Sequence, residues 1–178
     1  MLDRIMGIVT LKPATYRAVA DDQNATGQAA IIVVVMAVVA AIIGAVVLSA
    51  FSTALPTGTA GGSTLGFIVR TIVNAIISWL IGSWVFAFVS TTFFGGKTNT
   101  GEMLRVFGFT QVFQILAIIP CLGAILALIL SVIGAIIGIR EASEFDTTKA
   151  ILTGVVGFVI LLVVSFVVAL VLGAVGLA

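Results

Sequence analysis

Polar and apolar positions in this chain alternate in long blocks rather than residue by residue. Between Asp22 and Arg70 stand 47 residues without a formal charge, and between Arg70 and Lys97 another 26. Between Arg105 and Arg140 there are 34, and the 29 that follow Lys149 are all uncharged. A helix needs about 20 apolar residues to cross roughly 30 Å of hydrocarbon, so each block can cross at least once. In lipid the backbone must satisfy its own hydrogen bonds, which favours helices. The blocks are continuous and not alternating, unlike the strands of a transmembrane barrel.

The first span is expected from about Gln28 to Phe51, before a loop from Ser52 to Ser63 that holds Pro56, Gly58, Gly61 and Gly62. A second runs from about Thr64 to Phe93 and stops at Gly95-Gly96-Lys97. Pro120 sits near the middle of the 34-residue block. Proline removes a helix donor and restricts the residue before it. A tight turn over Ile119 to Gly123 is therefore expected, between a third span near Leu104 to Ile119 and a fourth near Leu122 to Ile139. The first arm of that hairpin is short, so a tilted or re-entrant arm is an alternative. The last span runs from about Lys149 to Gly173.

The expected fold is all-α: a polytopic membrane protein with five transmembrane helices and a short N-terminal interfacial helix. Residues 1–27 form a cytoplasmic or interfacial segment and 28–178 the membrane domain. Leu2, Ile5, Met6 and Val9 share one helical face, a spacing suited to the headgroup layer. Pro13 can open a second short helix. Ile5 to Leu11 is too short and polar at its ends for a secretory signal.

Charge order sets the orientation. With five spans, seven of the eight basic residues and all seven acids fall on the N-terminal flank. Basic residues mark the cytoplasmic side, so the chain is expected in the plasma membrane with its N-terminus inside and its C-terminus outside. Asn24-Ala25-Thr26 matches a glycosylation sequon but lies on that inner flank.

Composition narrows the function. Hydrophobic residues make up 61% and charged residues 8%, against about 25% charged in a soluble domain. A net charge of +1 offers no attraction to nucleic acid. Histidine is missing, which removes the commonest general base and metal ligand. The single cysteine, Cys121, cannot form an internal disulfide. No catalytic residue, metal site or cofactor is expected.

Arg70 is the one charge inside a predicted span, and an intramembrane charge is a functional candidate. The 23 residues from Thr71 to Phe93 cross unaided, however, so Arg70 is first read as snorkelling to the outer headgroups. Asn74 follows at i+4, and Gln111 and Gln114 lie on the third span. Such groups more often bond across helices than line a pathway. Gly123, Ala127, Ser131 and Ala135 recur every four residues, Gly134 and Gly138 form a GxxxG, and Ala37, Ala41 and Ala45 form a third stripe. These faces are expected to pack helices closely, within the chain or between copies in a homo-oligomer. Glu141, Glu144 and Asp146 read as a solvated loop, with Asp146 placed to cap the last helix and Lys149 to pair with Glu144 or Asp146. Trp79 and Trp84 lie mid-span and are expected in the packed core.

Several of these segments carry a resemblance. Gly95-Gly96-Lys97, then Leu104-Arg105-Val106-Phe107-Gly108-Phe109-Thr110-Gln111, then Pro120, resemble the central part of the Yip domain family. So do Gly138-Ile139-Arg140-Glu141 and Thr148-Lys149-Ala150, and Pro13 with Tyr16 is similar to the segment before the first span in prokaryotic members. The similarity runs from about Pro13 to Gly173. It implies a bacterial or archaeal member of a family whose eukaryotic proteins bind prenylated Rab GTPases in vesicle traffic or membrane shaping. It implies no catalytic residues.

The expected function is thus a non-enzymatic integral membrane protein that organises the bilayer or docks an unknown membrane or cytoplasmic protein. Arg105, Arg140, Glu141 and Lys149 are its expected contact residues for a partner or for headgroups. The alternative is a transporter or channel component that uses Arg70, Asn74, Gln111 and Gln114, or an accessory subunit of a larger complex.

Overall fold

The computed structural model describes residues 1–51, 64–119 and 122–174. The loop expected over 52–63, the Pro120–Cys121 turn and the tail at 175–178 lie outside the described residues. Among the described residues there is no strand. Helices α1 (Leu2–Val9), α2 (Pro13–Asp21), α3 (Ala25–Phe51) and α4 (Thr64–Phe94) come first. Then follow α5 (Thr100–Thr110), a 3-10 helix (Gln111–Ile118), α6 (Leu122–Ser143) and α7 (Thr147–Ala174).

Local chemistry sets the ends. Pro13 opens α2, where a missing N–H costs nothing. The Asn99 side chain accepts the Glu102 N–H at 3.0 Å, and Glu102 accepts from Asn99 Nδ2 at 2.7 Å, a reciprocal cap that starts α5. Asp146 accepts the Lys149 N–H at 2.7 Å and starts α7, as its position predicts. Helix α6 stops where Glu144 turns left-handed at φ +56, with the Phe145 N–H reaching back to the Arg140 carbonyl at 3.0 Å.

Four helices are long and apolar enough to cross a membrane among the described residues: Ala25–Val47, Leu65–Phe94, Leu122–Ser143 and Thr147–Leu170. The arm expected as a third span is not one continuous α-helix. It begins at Thr100 and changes pitch at Gln111. A 3-10 helix rises about 2.0 Å per residue against 1.5 Å for an α-helix. Its 19 residues thus extend roughly 32 Å, about 4 Å more than an all-α arm would.

Glycines let these helices meet. A Cβ on Gly108 of α5 would stand 2.6 Å from Ala29 Cβ of α3. On α6, Gly134 faces Phe113, Thr110 and the Tyr16 hydroxyl at about 3 Å from a virtual Cβ, and Gly138 faces Val106 and Tyr16. Gly123 meets Leu116 at the other end, so α6 runs antiparallel to the preceding arm. The GxxxG is therefore filled from within the chain. Tyr16, Val106, Phe109 and Phe113 form the centre of the core, each at most 2% exposed. Outward faces stay apolar, and α7 exposes every side chain from Leu162 to Leu170. Trp79 is buried as expected and donates to the Leu104 carbonyl at 2.9 Å. Trp84 is not in the core: it is 56% exposed and stacks on Phe88 along the outer face of α4.

Candidate functional site

Charged side chains from five segments meet at one end of the helices. Arg17 of α2 bridges Asp21 (Nε–Oδ2, 3.0 Å) and Glu144 (Nη2–Oε1, 2.9 Å), and donates to the Glu141 carbonyl at 2.9 Å. Lys97, in the α4–α5 connection, reaches the other oxygen of Glu144 at 3.3 Å. The Lys97 N–H donates to the Ser143 carbonyl at 3.1 Å, and the Ser90 and Ser143 hydroxyls share a buried 2.7 Å bond. Arg4 of α1 pairs with Asp22. Glu144 thus joins α2, the 95–99 connection and the end of α6. Its left-handed backbone is uncommon for a residue with a side chain, and the two ion pairs hold it there.

The expected contact residues fall into different surroundings. Arg105 points inward, 6% exposed, with Nε donating to the Ala20 carbonyl at 2.9 Å and Nη2 to the same oxygen. It makes no ion pair among the described residues. The last turn of a helix leaves carbonyls without intrahelical donors and carries partial negative charge, so Arg105 caps α2. Arg140 and Glu141 pair with each other at 2.7 Å, and Arg140 also donates to Thr147 at 3.4 Å. Lys149 is exposed and lies 5.7 Å from the centre of the Phe145 ring. Arg140, Glu141 and Lys149 thus stand around the α6–α7 turn, and Arg105 stands apart from them.

Burial raises the Tyr16 phenol well above its ordinary value and keeps it neutral. Lys97, then Arg17, hold the Glu144 carboxyl below its ordinary value. Arg4, then the Asn24 N–H, do the same for Asp22. Both carboxylates therefore contribute stability at pH above their unfolded values of about 4. That contribution is lost as pH falls through the lowered folded values. Amide exchange in α2, corrected for intrinsic rate, should accelerate below about pH 4. In Glu144→Gln with Asp22→Asn it should be fast already at pH 6. Equal protection at both pH values in the unsubstituted protein would show that these pairs do not hold α2.

Of the residues in the alternative set, Gln111 and Gln114 line a cavity of about 350 Å³ between α3, α4 and the 3-10 helix. Arg70 and Asn74 lie on the exposed side of α4, outside that lining. Among the described residues no group of three or more His, Cys, Asp and Glu is arranged to hold a metal ion. Glu141, Glu144 and Asp146 face arginine, lysine and a helix N-terminus instead.

Residues 6–170 match the Yip1 domain, nearly the whole chain. The chain belongs to the Yip1 domain family. No curated protein and no solved structure matches it. This Yip1 domain is a multi-pass membrane protein, with Tyr16 seated against Gly134 and Gly138. Sequence reasoning missed Arg17 and Glu144 as a linked pair, because 127 positions separate them. It also missed Ser131 as a polar group: its hydroxyl is buried and has no hydrogen-bond partner among the described residues. The i+4 stripe marked Ser131 for its size alone.

Proposed function

We propose that this Yip1-domain protein is a non-enzymatic membrane component that organises the bilayer or docks a partner through its charged end, and that it crosses the membrane five times. The construction of that end carries the reading. Helix α1 turns Ile8 into the core and leaves Leu2, Met6 and Val9 exposed along its other side. Such a split face suits a helix lying in the headgroup layer. Ion pairs then tie α1 to Asp22 at the end of α2, α2 to Glu144, and Glu144 to Lys97 in the 95–99 connection. The ion-paired end forms a charged platform, with Lys12 and Lys149 exposed on it.

The fifth crossing is supported by where the short arm begins and ends. It starts beside Ala20, which receives Arg105, and ends where the Gly123 N–H donates to the Ile119 carbonyl at 3.1 Å. Gly123 opens α6, whose other end carries Arg140 and Glu144 at the platform. An arm joining those two points covers the same depth as α6. In a Cys121→Ser background, single cysteines at positions 3 and 177 should label with impermeant maleimide from opposite faces. Labelling from one face would sink the five-span reading and its N-in orientation.

For the platform, Arg140→Glu with Lys149→Glu should reduce copurification of partner proteins and anionic lipid in mild detergent, in protein that still elutes as a folded species; the charge reversal beside Glu141 is expected to lower the thermal midpoint somewhat. Unchanged recovery of both would remove the docking reading. The transport alternative has weaker support, since only Gln111 and Gln114 of its four residues line the cavity.

A further inference from the structure

Phe107 borders three adjoining cavities among the membrane-spanning helices, each open on one side. The first, about 350 Å³, includes Met36 and Trp79 in its wall. The second, about 170 Å³, is bordered by Thr110, Gln111, Gln114 and Ser131. The third, about 440 Å³, is an open groove between α6 and α7 against Leu128, Val132, Val155 and Phe158, all of them exposed. Gln111 and Gln114 are common to the first two, and Ser131 and Ala135 to the last two. A small polar junction thus stands between two larger, mainly apolar chambers.

The junction has hydrogen-bonding capacity to spare. The Thr110 hydroxyl is used by the Val106 carbonyl at 2.8 Å. The Ser131 Oγ is buried and has no partner among the described residues. Gln111 is half-buried and Gln114 exposed at the open side of the junction, and no hydrogen bond engages either amide among the described residues. A polar group left unpaired away from water costs about 1–3 kcal/mol, so an occupant able to bond these groups is favoured. None of the three linings contains an Asp, Glu, Lys or Arg. A phosphate or carboxylate would enter without a counter-charge, at a cost of several kcal/mol. The occupant that fits is uncharged, with a hydrogen-bonding centre and an apolar arm on each side.

We propose that Gln111, Gln114 and Ser131 bind the ester and hydroxyl centre of a neutral two-chain lipid of the diacylglycerol class, drawn from the bilayer, with one hydrocarbon chain in each flanking chamber. The site is separate from the charged platform and stands whether or not that platform docks a partner.

Trp79 lines the first chamber and Trp84 faces outward, so Trp84→Phe leaves one tryptophan as an internal reporter. The purified protein in detergent is titrated with diacylglycerol carrying brominated chains, which quench indole fluorescence on contact. Phosphatidylcholine with the same brominated chains is the comparison. Quenching by diacylglycerol is expected at roughly tenfold lower mole fraction, the equivalent of one or two hydrogen bonds. The nearly isosteric pair Gln111→Leu and Gln114→Leu should abolish that preference. Val155→Phe, which narrows the third chamber and leaves the junction untouched, should weaken binding and serves if the leucine pair misfolds. Equal quenching by the two lipids would show that the chambers collect any bilayer chain and would overturn the proposal. So would no quenching by diacylglycerol, or undiminished quenching in Val155→Phe.

Discussion

Gly138→Leu is expected to destabilise the protein by about 3 kcal/mol, the upper end of the range for overpacked cores. Even a Cβ at this position would collide with Val106 Cγ1 and come within 3.6 Å of the Tyr16 ring. Val106 and Tyr16 are both fully buried, so neither has open space to retreat into. A leucine would push α5 and α2 away from α6 together. The measurement is the thermal midpoint in detergent, with the elution volume of the folded protein recorded alongside. Gly138→Ala should show a smaller loss, and adding Val106→Ala should restore part of it, because the methyl removed is the one in collision. That pair forms a double-mutant cycle whose coupling term should favour the double variant. A variant that keeps the original midpoint but changes oligomeric state would place the GxxxG face between copies and refute the intrachain packing.

Arg105→Met is expected to cost about 2–3 kcal/mol, the scale for hydrogen bonds to a charged group and for a buried acceptor left unpaired. Methionine keeps the unbranched stem and removes both donors to the Ala20 carbonyl. Ala20 is fully buried, so water does not replace them. The lost positive charge also leaves the C-terminal end of α2 without its cation. Proteolysis between α2 and α3 should quicken markedly, and the thermal midpoint should fall. Arg105→Lys should lie between the two, since a lysine keeps the charge without the planar fork. If methionine leaves both readouts unchanged, Arg105 does not anchor α2 and its burial needs another explanation.

The sequence marks Gly138 for close packing without naming its partner, and it places Arg105 at a contact surface; the reasons differ. For Gly138, the i+4 repeat of small residues showed that something approaches α6 closely. It did not show whether that was Tyr16 from 122 positions earlier or a second copy. For Arg105, position in the chain pointed outward: it lies beside other charges at the mouth of a predicted span. Its inward rotation depends on α2 ending where Ala20 faces α5. The pairing of Arg17 with Glu144 was hidden for a similar reason, although the sequence did mark Asp146 as a cap, a contact only three residues long.

The sequence alone determined the elements whose cause is local or compositional. Pro13 opens α2, Asp146 starts α7, and the apolar blocks become helices, since in lipid a backbone has few other ways to satisfy its hydrogen bonds. Tertiary structure alone decided the change to a 3-10 helix at Gln111, the inward turn of Arg105, the filling of Gly134 and Gly138 by Tyr16 and its neighbours, and the junction of Gln111, Gln114 and Ser131. Each of these depends on which helix face meets which. In a chain whose spans are apolar nearly all round, hydrophobic periodicity carries little information about facing.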